Sequence, residues 1–212
     1  HKGDRVEDMA YGPGQLDAFC RRLEKLIRND NPPRAILLSG GGNDIAGDEF
    51  GVLLNHANST IAGLNDDVVT GVVDQRIRHA YITIIAQITH VSETMLGRKI
   101  PVVTHGYDYA VPDGRGFLGG WGPLPGPWLK PGFSDKGFAD LRVNTATVQK
   151  LMDRFNEMLR GLVRLDGFDH VKWVDLRNTL SSGPKYKDDW GNELHPTRTG
   201  FRRVADKIAA AL

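Results

Sequence analysis

Three short apolar runs, separated by longer segments of helical period, dominate the pattern of hydrophobic positions along the chain. These runs are RAILLS (34–39), KIPVVTH (99–105) and HVKWVDL (170–176). The first two are apolar throughout rather than alternating, which is typical of strands covered on both faces of a sheet. The pattern therefore predicts three strands, with the first two buried on both sides.

Apolar positions spaced three and four residues apart predict helices between and after these strands. One stripe consists of Val69, Val72, Val73, Ile77, Tyr81, Ile84, Ile85 and Ile88. A second consists of Leu151, Phe155, Met158, Leu159 and Leu162. The last helix is predicted from about Thr197, with Phe201, Val204, Ala205 and Ile208 facing inward. Alternating strands and helices indicate one α/β domain over 1–212, with a parallel sheet and right-handed crossovers.

In such sheets the ligand site gathers at the carboxyl ends of the strands, which makes the loops there candidates. Three segments follow predicted strands: 40–50, 106–133 and 177–196. The long segment 106–133 is rich in Gly, Pro and aromatic residues. Loops of this length in a compact domain are usually binding loops or lids. A flap that merely covers the core is the alternative.

Composition narrows the classes of partner. The chain has 27 Lys+Arg against 26 Asp+Glu and shows no basic stripe, which argues against nucleic acid and anionic membrane surfaces as partners. Its single cysteine, Cys20, excludes an internal disulfide and a cysteine-based zinc site, and its helical context predicts a packing residue. No apolar run approaches the roughly 20 residues of a membrane span. We expect a small-molecule ligand and neither a metal nor a cofactor.

Two polar residues after predicted strands are the strongest chemical candidates. Asn43 ends the turn GGGN, whose glycines let the backbone approach a ligand, and its amide N–H suits stabilisation of an oxyanion. His195 precedes Pro196, which restricts its backbone, and Asn192 is close enough in a turn to orient the imidazole. Such a histidine can act as a general base for a hydroxyl nucleophile. Turn capping by Asn43 and a structural role for His195 are the alternatives.

Gly3 in GDRVEDM, Asn43 in GGND and His195 in NELHPTRTGF together resemble three signature blocks of the SGNH (GDSL-like) hydrolase superfamily, in the family's order. The resemblance implies a flavodoxin-like three-layer α/β/α sandwich with a mostly parallel sheet. It also implies hydrolysis of carboxylic esters of lipids, short acyl groups or acetylated sugars. The Gly3 amide and Asn43 would form the oxyanion hole, and His195 would activate a serine.

The sequence departs from that family in two places. The Gly-Asp-Ser block that supplies the nucleophile is absent, and three strands are few for such a sheet. We therefore expect the first strand and its serine to lie upstream of residue 1, or on a separate segment; a natively truncated, inactive protein is the alternative. The family's Asp three residues before the histidine is replaced by Asn192, so either Asn192 or one of Asp188 and Asp189 orients the ring.

Further residues of the three loops are predicted to contact substrate. They are Gly42, Asp44, His105, Tyr107, Trp121 and Trp190. Trp128 is expected in the same aromatic wall, since aromatic faces bind both apolar and sugar surfaces.

Two other functions remain open from the sequence. A metal-dependent phosphoesterase would use Asp, Asn and a late His as ligands, but no Asp-x-His or Gly-His-x-His is present. A non-catalytic carbohydrate- or lipid-binding module would keep the 106–133 loop without a nucleophile.

Overall fold

A computed structural model describes residues 4–117 and 125–212 of the protein, apart from the side chain of Asp48. Its strands are β1 (Ile36–Leu38), β2 (Leu54–Asn55), β3 (Gly63–Leu64), β4 (Val102–His105) and β5 (Val171–Val174). β4 is the central strand of a parallel sheet of order β1-β4-β5, and β2 and β3 form a small antiparallel pair. The three predicted strands and their parallel arrangement are confirmed.

The helices include those predicted from the apolar stripes, together with short helices that the apolar pattern did not predict. They are α1 (Val6–Tyr11), α2 (Gln15–Arg28), α3 (Asp66–Val69), α4 (Arg78–Leu96), α5 (Lys130–Asp135), α6 (Leu141–Leu162), α7 (Tyr186–Asp189) and α8 (Arg198–Ala209). A π-helix, Thr70–Ile77, joins α3 to α4, and a 3₁₀ helix spans Gly47–Leu53.

Local capping residues explain where two of these helices begin. The Asp140 carboxylate accepts from the Arg142 backbone N–H at 2.7 Å and starts α6. The Thr197 hydroxyl accepts from the Gly200 N–H at 3.1 Å and starts α8, at the residue predicted from the sequence. Each side chain satisfies a backbone donor that has no partner inside the helix.

Helices cover both faces of the sheet, as the α/β/α class requires. Val102 and Val171 point to the face packed by the large core, which includes Ile85 of α4 and Leu159 of α6. The alternate strand residues Val103 and Val174 join Leu176 on the opposite face, against α8. Complete burial of a side chain such as Leu159 contributes about 1.5–3 kcal/mol.

Two expectations about burial are wrong. Leu37, in the middle of β1, is 51% exposed rather than covered on both faces. Phe201 of α8 is 52% exposed, and Ala205 is exposed too, rather than facing a closed core. The reason is that α8 packs over Val174 and Leu176 at one side of the sheet, while the face of the edge strand β1 stays open.

Candidate active site

A cleft of about 720 Å³ opens where the strands of the parallel sheet end. Residues that directly follow β1 and β4, together with His195, contribute the polar part of its wall. The apolar part includes Leu37, Leu176, Leu180, Val204 and Ile208. The cleft therefore combines ionisable groups with a long apolar surface.

Tyrosine side chains hold the turn after β1 in position. The Tyr107 hydroxyl donates to the Gly40 carbonyl at 2.9 Å and accepts from the Gly42 N–H at 3.1 Å. The buried Tyr81 hydroxyl also donates to the Gly40 carbonyl, at 2.8 Å. Burial raises the pKa of Tyr107 to about 12, so its phenol stays protonated and keeps both hydrogen bonds.

Asn43 projects from this turn into the cleft and is exposed. Its carboxamide Nδ2 donates to the backbone carbonyl of Asp4, at 3.3 Å. A long hydrogen bond of this kind leaves the amide able to donate to another oxygen as well, because the NH₂ group has two hydrogens.

The Asp44 side chain points away from the cleft, and Asp44 is not among the described residues that line it. Its carboxylate accepts from the backbone N–H of Val6 at 2.8 Å and of Glu7 at 3.4 Å, at the start of α1. Burial raises the pKa of the Asp44 carboxyl, although these two N–H donors act in the opposite direction. The structure thus gives Asp44 a helix-capping position, and the expected substrate contact stays a prediction.

The imidazole of His195 is held by Asn192. The Asn192 Oδ1 accepts from His195 Nδ1 at 2.9 Å. Asp189, in contrast, is buried and accepts from Arg203 Nη1 at 2.7 Å, and its neighbour Asp188 is exposed. In this structure the orienting contact to Nδ1 therefore comes from the amide.

Aromatic side chains of the long loop lie against the same imidazole. The ring centroid of Phe117 is 5.0 Å from that of His195, and the Trp128 centroid is 5.2 Å away. Phe117 and Trp128 also contact each other, at 5.8 Å. Phe117 and Trp128 of the segment 106–133 thus contact the His195 imidazole, and the role of that segment as a lid or pocket wall stays a prediction.

Glu193 connects that loop to the turn carrying His195, and sequence reasoning missed it. The Glu193 side chain accepts backbone N–H groups from Gly114 and from Trp128 to Lys130, and the residue is 0% exposed. A glutamate next to Asn192 in a turn is normally read as a surface residue. Only its buried position shows otherwise.

His105 and Trp190 line the cleft as buried residues. His105 Nδ1–H donates to the Gly106 carbonyl at 2.7 Å, and burial lowers the pKa of His105, which favours the neutral imidazole. The Trp190 Nε1–H donates to the Ser181 carbonyl at 3.1 Å. Both side chains are fixed by backbone acceptors and present apolar ring surface to the cleft.

Two predicted site residues, Gly3 and Trp121, lie outside the described residues. Within 4–117 and 125–212, no group of three or more His, Cys, Asp or Glu side chains is arranged to hold a metal ion. Over the same ranges no helix has the length and apolar character to cross a membrane.

Comparisons with known proteins complete the description of the site. No protein-family model matches the chain, and no curated protein matches its sequence. A solved structure that does match is that of an extracellular lipase from Streptomyces rimosus, with 17% sequence identity and a TM-score of 0.42. The match covers 99% of this chain and 76% of that one. At this level of similarity it assigns neither a family nor an activity.

Proposed function

We propose that this protein is a carboxylic ester hydrolase of the SGNH type that works through a serine acyl-enzyme. The observation that carries the proposal is that Asn43 and His195, which are 152 positions apart in sequence (195 − 43), line one cleft at the carboxyl ends of the strands. His195 is oriented there by Asn192, as a general base must be.

The roles follow from the chemistry of each group. The serine hydroxyl oxygen attacks the ester carbonyl carbon while its proton passes to His195 Nε2. Asn43 Nδ2–H, with the amide of Gly3, stabilises the oxyanion of the tetrahedral intermediate. His195 then gives its proton to the leaving alkoxide, which departs as the alcohol. Water repeats the sequence on the acyl-enzyme, releasing the carboxylic acid and restoring the serine hydroxyl.

In this proposal the nucleophile comes from a segment upstream of residue 1. β1 is an edge strand of the described sheet, and its central residue Leu37 is exposed along the cleft. A further parallel strand on that edge would end beside Asn43, because parallel strands end at the same side of a sheet. This arrangement supports delivery of a serine to the space between Asn43 and His195.

The apolar part of the cleft favours esters with a hydrocarbon acyl group. Leu176, Leu180 and Ile208 can bury a short acyl chain at about 0.8 kcal/mol for each methylene group. Trp128 and Trp190 add aromatic surface near His195. The same surface favours a non-catalytic lipid-binding module as the second candidate.

Labelling with a fluorophosphonate tests the proposal on the protein made from its complete coding sequence. We expect one covalent adduct on a serine N-terminal to residue 1, and no adduct in the His195→Asn variant. Ser39→Ala is the matched control, because Ser39 lines the cleft at the end of β1 but should not be the nucleophile. Absence of an adduct, with retained binding of an apolar ligand, would favour the binding module.

A further inference from the structure

The Glu193 carboxylate joins the long loop to the histidine-bearing turn through four hydrogen bonds. Its Oε1 accepts from the backbone N–H of Gly114 at 2.8 Å and of Lys130 at 3.2 Å. Its Oε2 accepts from Trp128 at 2.7 Å and from Leu129 at 2.8 Å. One side chain therefore gathers two separate parts of the loop, on either side of the stretch from 115 to 127.

Only an ionised carboxylate can make all four of these contacts. It has two acceptor oxygens and no hydrogen, whereas a carboxamide has a single acceptor oxygen and would turn its NH₂ toward two of the donors. Burying a charge is costly unless hydrogen bonds replace its water, and here four N–H groups do so. The arrangement is therefore specific for Glu at this position.

Further hydrogen bonds connect Arg115 of the loop to the turn that carries His195. The Glu193 N–H donates to the Arg115 carbonyl at 3.2 Å. The Arg115 guanidinium donates to the carbonyls of Trp190 at 3.1 Å and Gly191 at 3.4 Å. Hydrogen bonds donated in both directions therefore join the loop to the turn, two residues before His195.

These hydrogen bonds hold Trp128 next to the His195 imidazole. Asn192 Oδ1 accepts from Nδ1 of that imidazole at 2.9 Å. The ring centroids of Trp128 and His195 lie 5.2 Å apart with 65° between the ring planes, which is an edge-to-face contact. We propose that Glu193 is a positioning residue that holds Trp128 against His195, so that the indole and the Asn192 carboxamide together fix the orientation of the imidazole. This inference rests on the proposed role of His195 as general base.

Other ionisable groups near His195 are kept constant in the test. Those that line the same cleft are Asp4, His105, Tyr107 and Asp108. Behind the turn lie Arg115 and the ion pair between Asp189 and Arg203. The variants leave all of these in place, but Glu193→Gln also removes a charge two residues from His195, so the size of the quenching step rather than its midpoint reports on the aromatic contact.

Tryptophan fluorescence against pH tests the proposal without an activity assay, since an imidazolium ion quenches a neighbouring indole. We expect a quenching step on acidification that disappears in His195→Asn and in Trp128→Leu. Glu193→Gln should lose most of this step, because Trp128 is then no longer held against the imidazole. Glu24→Gln, which removes a charge from the surface of α2, should behave like the wild type.

Amide hydrogen exchange provides the second measurement. In Glu193→Gln, exchange at Gly114, Trp128, Leu129 and Lys130 should accelerate while α4 remains protected. If the Gln variant does not fold, Glu193→Asp applies the same test, because it keeps the charge but shortens the reach. An unchanged quenching step in whichever variant folds would overturn the proposal. Failure of fluorophosphonate labelling would count against the hydrolase alone and leave these readouts intact.

Discussion

The carboxamide oxygen of Asn192 lies 2.9 Å from Nδ1 of His195 and accepts its hydrogen. The same oxygen accepts from the backbone N–H of Leu194 at 3.0 Å and of His195 at 2.9 Å. Two backbone donors therefore dictate which end of the amide faces the ring. The imidazole carries its hydrogen on Nδ1, and the lone pair that takes up a proton is on Nε2.

Replacing Asn192 separates orientation from charge in this contact. Asn192→Ala removes the acceptor and should lower kcat for ester hydrolysis by about a hundredfold or more, because a misoriented base loses most of its effect. Asn192→Asp keeps an acceptor and adds a negative charge, so the acid limb of the kcat–pH profile should move to higher pH. Equal kcat values for Asn192→Ala and wild type would contradict the orienting role.

Removing the Asn43 carboxamide should affect the transition state and little else. We expect Asn43→Ala to lower kcat by about 10²–10³-fold with KM nearly unchanged, as for the loss of one oxyanion donor. The side chain is exposed, so its effect on the free energy of unfolding should stay within about 0.5 kcal/mol. Asn31→Ala, another exposed site, is the control; a matching kcat for the two variants would argue against an oxyanion donor.

Gly41 should tolerate no side chain. It has φ +89°, and an added Cβ would lie 2.6 Å from the ring of Phe155. Gly41→Ala should therefore lower the free energy of unfolding by about 1–3 kcal/mol. Gly71 lies in the π-helix with nothing within 4 Å of an added Cβ, so Gly71→Ala should be neutral or stabilising. Urea unfolding of both variants measures the difference; equal midpoints would contradict the expected clash.

Asp113 should stabilise the protein in a pH-dependent way. Burial alone would raise the pKa of its carboxyl, but hydrogen bonds from Tyr186 at 2.7 Å and from Arg115 at 2.5 Å outweigh burial and lower the pKa. The stabilisation is therefore present above the unfolded-state pKa of about 3.9 and is lost as the pH falls through the folded-state pKa.

The corresponding variant makes this measurable. Asp113→Asn should lower the free energy of unfolding by about 2 kcal/mol at pH 7, as expected for losing hydrogen bonds to a charged group. The difference from wild type should shrink as the pH falls below about 4. A difference that stays constant from pH 7 to pH 3 would show that the Asp113 charge contributes nothing.

The three strands of the parallel sheet, the long helices and their order were predictable from the chain because they depend on local patterns. The apolar run 99–105 contains β4, whose four residues are all buried, and the stripe ending at Leu162 lies in α6. Thr197 marks the start of α8 because its hydroxyl caps a neighbouring backbone N–H. Each of these signals requires only residues within a few positions of one another.

Local signals also placed Asn43 after β1 and His195 before α8, and both residues line the cleft. They did not reveal the exposure of Leu37 and Phe201, which depends on how far α8 extends across the sheet. They also did not reveal that the Asp44 carboxylate accepts N–H groups at the start of α1, some 37 residues away in sequence.

The amino-acid sequence by itself determined the three strands of the parallel sheet, the long helices and the side of the sheet at which polar residues collect. Only the tertiary structure decided that a buried Glu193 gathers the N–H groups of a distant loop and that Phe117 and Trp128 lie against His195. The physical reason is that hydrophobic periodicity is a property of neighbouring residues. The burial of a charge and the contact of rings from different segments, in contrast, depend on the packing of the whole chain.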